Sequence, residues 1–414
     1  MDANGLESVG ARVRIGTEGR EDREEIRCWD FQGKSFSHLS ALGVLLFVIG
    51  FVPVSAFGQT PEKPKASQPG QPAIERRLVI SGQGYFPVAM RLQDDRIAVV
   101  FRGGAGHLGI KGRLDIVFSS DEGASWTKPQ IVVDTPDDDR NPAFGQTHGG
   151  TLVVGFWRTA TYDDAGRYDF KSSRPTSTWV TRSRDGGRVW SPPVAIDVSD
   201  IAWGSPYGRI LALADGSLLM AVYGGGVGAG PRASNTRQHS YVYRSLNDGA
   251  TWHRLAEIGA GQDQFSETSL VQMPSGELLA AMRSRGGETW LARSSDDGHT
   301  WGKAAPLLPK NVHPADMVLG PDTRLVLVAG DRRGPLGVQA VVADALQELD
   351  WKRATALVKD AVSADCGYPS SVVLRDGRVL TVYYATGVKE HPEWGMHCGA
   401  IVWRPDLLAP DQLR

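Results

Sequence analysis

Six times between Asp94 and Tyr384 the chain passes from a polar turn into an unbroken apolar run: DDRIAVVFR (94–102), GGTLVVGFW (149–157), DGSLLMAVY (215–223), SGELLAAMR (275–283), DTRLVLVAG (322–330) and DGRVLTVYY (376–384). Their first residues stand 55, 66, 60, 47 and 54 positions apart. Short apolar runs bounded by Gly and Asp turns read as buried strands. No helical period of useful length interrupts them. VVADALQELDW (341–351) alone looks helical.

A second phrase recurs in the polar stretches between these strands. It reads SSDEGASW (119–126), RSRDGGRVW (182–190), RSLNDGATW (244–252) and RSSDDGHTW (293–301), with the core Ser-x-Asp-x-Gly-x-x-Trp. Asp121, Asp185, Asn247 and Asp296 hold the third position. The phrase fits a hairpin between the two outer strands of a repeat. The Asp or Asn caps backbone N–H groups, the Gly takes a left-handed turn position, and the Trp covers the turn. Its role is structural. The stretch 341–351 falls where a fifth copy belongs and is read as a degenerate one. Six units of roughly fifty residues, each with several short strands, predict an all-β six-bladed β-propeller of four-stranded antiparallel blades.

Ahead of the repeats lies a different composition. ALGVLLFVIGFVPVSAF (41–57) follows Lys34 and several arginines and precedes Gly58, the layout of a secretory signal. Residues 1–58 are therefore expected to be a leader, and the protein secreted or periplasmic. The competing reading is an uncleaved membrane anchor, since this run just spans a bilayer; the true start also falls downstream of Met1 on a third reading. Residues 59–76, rich in Pro, Lys and Gln, read as a linker, and 77–408 as the propeller. Charge is nearly balanced, with Lys+Arg 45 against Asp+Glu 47, so no nucleic-acid partner is expected and membrane contact only through the N-terminus. A monomer is expected. Of three cysteines, Cys28 is in the leader; Cys366 and Cys398 either pair or remain two buried thiols. No HExxH, paired CxxC or glycine-rich phosphate loop occurs, so neither metal nor organic cofactor is expected.

In a propeller the inner strands ring one mouth, where residues distant in sequence converge. Counting back eight residues from each of the six turns gives Phe86, Asn141, Tyr207, Glu267, Pro314 beside His313, and Tyr368. These are expected to begin the inner strands. The strand exits add Arg102, Arg283 and the pair Arg332–Arg333. A tyrosine, with a pKa of about 10, is a poor nucleophile until a carboxylate takes its proton; Glu267 and Tyr368 form such a pair. Singly, each of these residues reads as a packing or surface group; their shared register joins them.

The four Asp-bearing phrases are Asp boxes, and on a six-unit β pattern they resemble the sialidase superfamily over about residues 77–404. That resemblance implies an exo-glycoside hydrolase with a tyrosine nucleophile acting on a glycan or oligosaccharide. FSETSLVQMPSGELLAAMR places Glu267 before Arg283 as the family places its glutamate and second triad arginine. GYPSSVVLRDGRVLTVYY resembles the nucleophile strand, and DRRGPLGVQAVVAD the segment of the third arginine, with Arg333 the better candidate and Arg332 the bland one. Arginines suit a carboxylated sugar because their planar donors fork onto both oxygens. Two departures stand out. The family's Arg-Ile-Pro stretch reads GYFPV (84–88) here, with no arginine before Pro87, so one triad arginine is missing unless Arg102 or Arg140 reaches in. The loop expected to carry the acid/base aspartate, RGGAGHLGIKGRLD (102–115), offers His107 instead, with Asp115 further along.

The expected site is thus Tyr368, Glu267 and His107 as catalytic groups. Arg283, Arg333, Arg102, His313, Asp365, Tyr207 and Arg140 are expected around the substrate. Asp138 and Asp139 are read as a solvated rim. Three functions compete: an exported sialidase-like hydrolase of a terminal acidic sugar, a non-catalytic carbohydrate-binding propeller, and a uronic-acid polysaccharide lyase or hydrolase using His313 and Tyr368.

Overall fold

The computed structural model describes residues 74–169, 176–201, 203–225, 237–262, 264–344 and 349–408. Residues 1–73, which hold the expected leader and most of the linker, lie outside them. Among the described residues the regular elements are twenty-four strands, β1 to β24, and short 3-10 turns. No helix there is long and apolar enough to cross a membrane.

The inner strands are β2 (Tyr85–Arg91), β6 (Asp138–Gln146), β10 (Gly204–Ala212), β14 (Phe265–Gln272), β18 (Val312–Leu319) and β22 (Cys366–Val373). Each opens a four-stranded antiparallel set. Four sets are separate sheets. The other two share one eight-stranded sheet, because β6 and β10 pair in parallel at Gly208–Ala143 and Arg209–Phe144. The four-stranded sets, six in all, make the ring of blades; β22 of the last lies beside β2 of the first. The six apolar runs are the second strands, as in β3 (Ile97–Gly103) and β23 (Val379–Ala385).

The ring closes through the N-terminal strand. β1 (Ile74–Ser81) pairs with β24 (His397–Trp403) and becomes the outer strand of the last blade. Pairing begins at Ile74, three residues inside the stretch expected to be linker, because the backbone of Ile74–Arg76 meets an open sheet edge. Between neighbouring blades lie six apolar cores, such as Val99 and Phe101 against Leu380 and Val402. Burying both faces of every sheet is what holds the ring together.

The Asp boxes sit on the turns from third to fourth strands. In the first, Ser125 N–H donates to Asp121 Oδ1 at 2.9 Å and Gly123 N–H to Ser119 Oγ at 2.8 Å. The glycine also sets the distance to the preceding blade: a Cβ on Gly123 would meet Leu380 Cδ1 at 2.2 Å, and one on Gly187 would meet Phe118 at 2.6 Å. The degenerate fifth copy keeps its tryptophan: Trp351 is buried on a 3-10 turn (Trp351–Arg353) capped by Asp350. Cys366 and Cys398 are two buried free thiols, not a pair.

Candidate functional site

Each inner strand breaks register at the same level: Tyr85/Val88, Arg140/Ala143, Tyr207/Leu211, Phe265/Thr268, Val312/Ala315 and Gly367/Ser370. Five of the six residues found by counting back eight therefore lie within these bulges and Tyr207 just before one, none of them at a strand's start. A bulge re-aims the side chains beside it. Phe86, Asn141 and Tyr368 take φ of 52°, 51° and 51° there, which costs a non-glycine residue on the order of 1–3 kcal/mol each. Strain repeated at one level of the ring turns these side chains into the axial pit.

There Tyr368 Oη donates to Glu267 Oε1 at 2.8 Å. Ser266 Oγ donates to Glu267 Oε2 at 2.8 Å, and Arg283 Nη1 lies 3.2 Å from Oε1. Burial works to raise the Glu267 pKa, but Arg283, Ser266 and Tyr368 together hold it below the usual carboxylate value. Burial and the Glu267 charge push the Tyr368 phenol well above its ordinary value, against the pull of Arg283 and Arg332. The phenol is therefore protonated in the free protein, and its proton is already aimed at its acceptor.

Arg332, expected to be bland, stands 5.7 Å from the Tyr368 ring centre, donates to the Cys366 carbonyl, and keeps a buried Nε without a partner. Arg333, the expected choice, is exposed and ion-paired with Asp331 at 3.0 Å. Past the strand end Arg332, not Arg333, lies against the Tyr368 ring. His313 is buried among Arg283, Arg332 and Glu267, with an unpartnered Nδ1; burial and the two arginines lower its pKa to about 3. Tyr207 packs edge-on to Tyr368 with ring centres 5.9 Å apart.

His107 reaches the same mouth. Its Nδ1 lies 2.9 Å from Asp365 Oδ1, which also accepts from Tyr384 Oη at 2.6 Å. Burial opposes ionisation of Asp365, yet His107 and Tyr384 leave its pKa lowered. The His107 ring meets Phe86 edge-on at 5.1 Å, and Phe86 in turn meets Tyr368 at 5.0 Å.

Arg102 does not reach the pit. It is fully buried and spends its donors on Asp138 Oδ1, at 2.6 and 3.2 Å, and on the carbonyls of Ala105, Gly106 and Gly109. It is the anchor that shapes the loop carrying His107. Asp138 and Asp139 are likewise buried, not a solvated rim: Asp138 takes Arg102 and the Tyr162 hydroxyl, and Asp139 takes Thr135 N–H at 2.7 Å. Arg140 does face inward, its guanidinium 5.7 Å from the Phe86 ring and 5.5 Å from that of Trp157. Asp115 pairs with Arg113 away from the mouth.

Sequence reasoning missed Tyr223, whose hydroxyl accepts from Asn141 Nδ2 at 3.0 Å, and Tyr384; both end second-strand runs, the position that gave Arg102 and Arg283. It also missed the floor. Arg209 crosses the axis to Asp316 at 2.9 Å and to the carbonyls of Met317 and Ser371, closing the pit below Tyr368. Among the described residues no cluster of His, Cys, Asp and Glu could hold a metal ion.

A family model described as a BNR repeat-like domain matches residues 92–381. Among solved structures, a protein of unknown function from Dyadobacter fermentans is similar at 23% identity and a TM-score of 0.68, over 80% of this chain and 99% of its own. The Hadza microbial sialidase Hz136 is similar at 17% identity and 0.62, over 80% and 67%. A mutant of the NanB sialidase from Streptococcus pneumoniae is similar at 12% identity and 0.60, over 80% and 70%. A comparison with curated proteins gives no match.

Proposed function

We propose, for a chain that belongs to the BNR repeat-like domain family and folds as a sialidase-type propeller, that it is a retaining exo-glycoside hydrolase cleaving a terminal acidic sugar. The observation that carries this reading is the hydrogen bond from Tyr368 to Glu267, made between the sixth and fourth blades and flanked by Arg283 and Arg332. A phenol aimed at a buried, ionised carboxylate is the arrangement an activated nucleophile needs.

In the first step Tyr368 Oη bonds to the anomeric carbon while its proton passes to Glu267. The bond from that carbon to the leaving oxygen breaks, and protonated His107 gives that oxygen its proton. In the second step neutral His107 takes a proton from water, whose oxygen displaces Tyr368, and Glu267 returns the proton to the phenol. Asp365 fixes His107 through Nδ1, leaving Nε2 for the leaving group. Arg332 beside the phenol ring favours charge on its oxygen as the bond breaks. A neutral tyrosine meets an anionic sugar centre without the repulsion a carboxylate nucleophile would feel, and Arg283 and Arg332 offer donors to the acid.

A lyase reading would make His313 the base. Its low basicity argues against that role. Action outside the cytoplasm remains part of the proposal, on the composition of residues 1–58. The test is hydrolysis of chromogenic sialosides, uronides and neutral glycosides by the wild-type protein and by Tyr368→Phe. Release of reducing sugar lost in the variant supports the reading. Unchanged release, or an unsaturated product absorbing in the ultraviolet, overturns it.

A further inference from the structure

Two buried guanidiniums share one carboxylate in the second blade. Arg102 and Arg140 are 0% and 5% exposed, and Asp138 is 0% exposed. Asp138 is spent on other partners: Oδ1 accepts from Arg102 Nε and Nη2, and Oδ2 from the Tyr162 hydroxyl. Arg140 Nη1 comes only within 3.5 Å of Oδ2 and makes no hydrogen bond. Its Nε reaches Asn141 Oδ1 at 3.5 Å, the limit of such a bond. Asp139 gives no help, since its oxygens face Thr135. A buried cation with a spare donor is costly unless an anion completes it.

Nη1 itself is turned to Asp138, so the rest of the guanidinium tells where the anion would lie. Arg140 rests against the Phe86 ring, and the other side of Phe86 packs on Tyr368. Blade one supplies the rings of Tyr85 and Phe86 and, from its loop, His107. The anion point at Arg140 is therefore one aromatic ring removed from the reacting phenol, apart from Arg283 and Arg332, which touch the Tyr368–Glu267 pair directly. Trp157 forms the opposite wall and stacks on Trp203 at 5.6 Å, a flat apolar surface of the kind a sugar ring covers.

We propose that Arg140 is a second anion-binding point, taking a carboxylate or sulfate ester that the terminal sugar carries away from the carbon whose bond is broken. The identity of the ligand as a sugar rests on the glycosidase reading above; the anion point itself does not.

The experiment is calorimetric titration of the wild-type protein, Arg140→Gln and Arg140→Lys with free sugars, which needs no turnover. The probes are glucuronate and galactose 6-sulfate, with a remote acid; N-acetylneuraminate, with its acid on the anomeric carbon; and glucose and galactose. In the wild type at least one remote-acid sugar binds more tightly than its neutral parent, and the stronger of the two identifies carboxylate or sulfate. Arg140→Gln weakens that binding about tenfold or more, the worth of one hydrogen-bonded charge, and weakens N-acetylneuraminate clearly less. Arg140→Lys keeps part of the preference. Equal losses for every sugar overturn the proposal. So does a wild type that binds glucuronate and galactose 6-sulfate no better than glucose and galactose, a result independent of whether the variants fold. A wild type that shows the Arg140-dependent preference yet cleaves no chromogenic glycoside sinks the glycosidase reading and leaves the anion point standing.

Discussion

Tyr368 and Glu267, 101 residues apart in the chain, are joined by a 2.8 Å hydrogen bond in which the phenol donates and the carboxylate accepts. Both side chains are buried, and Tyr368 also packs among Phe86, Tyr207 and Tyr384, contacts that a phenylalanine at 368 keeps. Tyr368→Phe removes the nucleophile and Glu267→Gln the proton acceptor. Each is expected to lower kcat by roughly 10²–10⁴-fold, with a circular-dichroism melt close to that of the wild type. Turnover on the best chromogenic glycoside checks this, and a Phe variant as fast as the parent would refute the pairing.

Adjacent arginines separate two assignments. Arg332 faces the Tyr368 ring with a buried, unpartnered Nε, while Arg333, itself exposed, is tied to the buried Asp331. Arg332→Ala should cost about 10–100-fold in kcat/KM, the worth of one charged hydrogen bond. Arg333→Ala should stay within a factor of about two in kcat/KM, since its guanidinium is spent on Asp331 and does not touch the Tyr368–Glu267 pair. Steady-state kinetics on the two variants decides, and the opposite ranking would restore Arg333.

Arg102 carries a structural expectation. Its removal leaves Asp138 buried with an uncompensated charge and releases three loop carbonyls. Arg102→Met should destabilise by about 3–5 kcal/mol, the cost of breaking a buried pair from one side. Adding Asp138→Asn should recover part of that loss. Urea melts of the single and double variants measure it; a single variant as stable as the parent would mean the pair is not holding the loop.

The repeat was open to reading because propeller physics writes it into the chain six times. Each second strand must be apolar on both faces, and four of the outer hairpins carry the same capping and close-approach residues. The eight-residue count found Phe86, Asn141, Glu267 and Tyr368 for the same reason: the bulge recurs at one height in every inner strand. What stayed hidden was direction. Arg332 and Arg333 are equivalent by position, and only the backbone at the strand end decides which faces the pit. Asp138 and Asp139 look like a solvated acidic run because nothing local announces Arg102, Tyr162 and Thr135 as their partners. Ring closure by β1 was obscured because Ile74–Arg76 follow a Pro- and Gln-rich stretch with no composition break.

The last prediction concerns acid. The structure keeps His313 neutral: burial comes first, then repulsion from Arg283 and Arg332, against a weaker attraction from Glu267. Its folded value is about 3 against 6.5 for the free side chain. As pH falls below 6.5 the unfolded chain takes up a proton that the folded protein refuses, so stability drops across this window, at most by about 1.4 kcal/mol per pH unit. Glu267, with its pKa lowered from 4.5, adds its own loss only below that value. Asp139, raised from 3.8 to about 6, works in the opposite sense between those values, because the folded protein holds the proton there. Comparing two proteins that differ only at residue 313 cancels both contributions. Between pH 6.5 and 4.5, His313→Gln should lose about 2 kcal/mol less stability than the wild type, even if it starts lower at pH 7. Urea melts across that range test it, and parallel pH profiles would mean that His313 accepts its proton without unfolding.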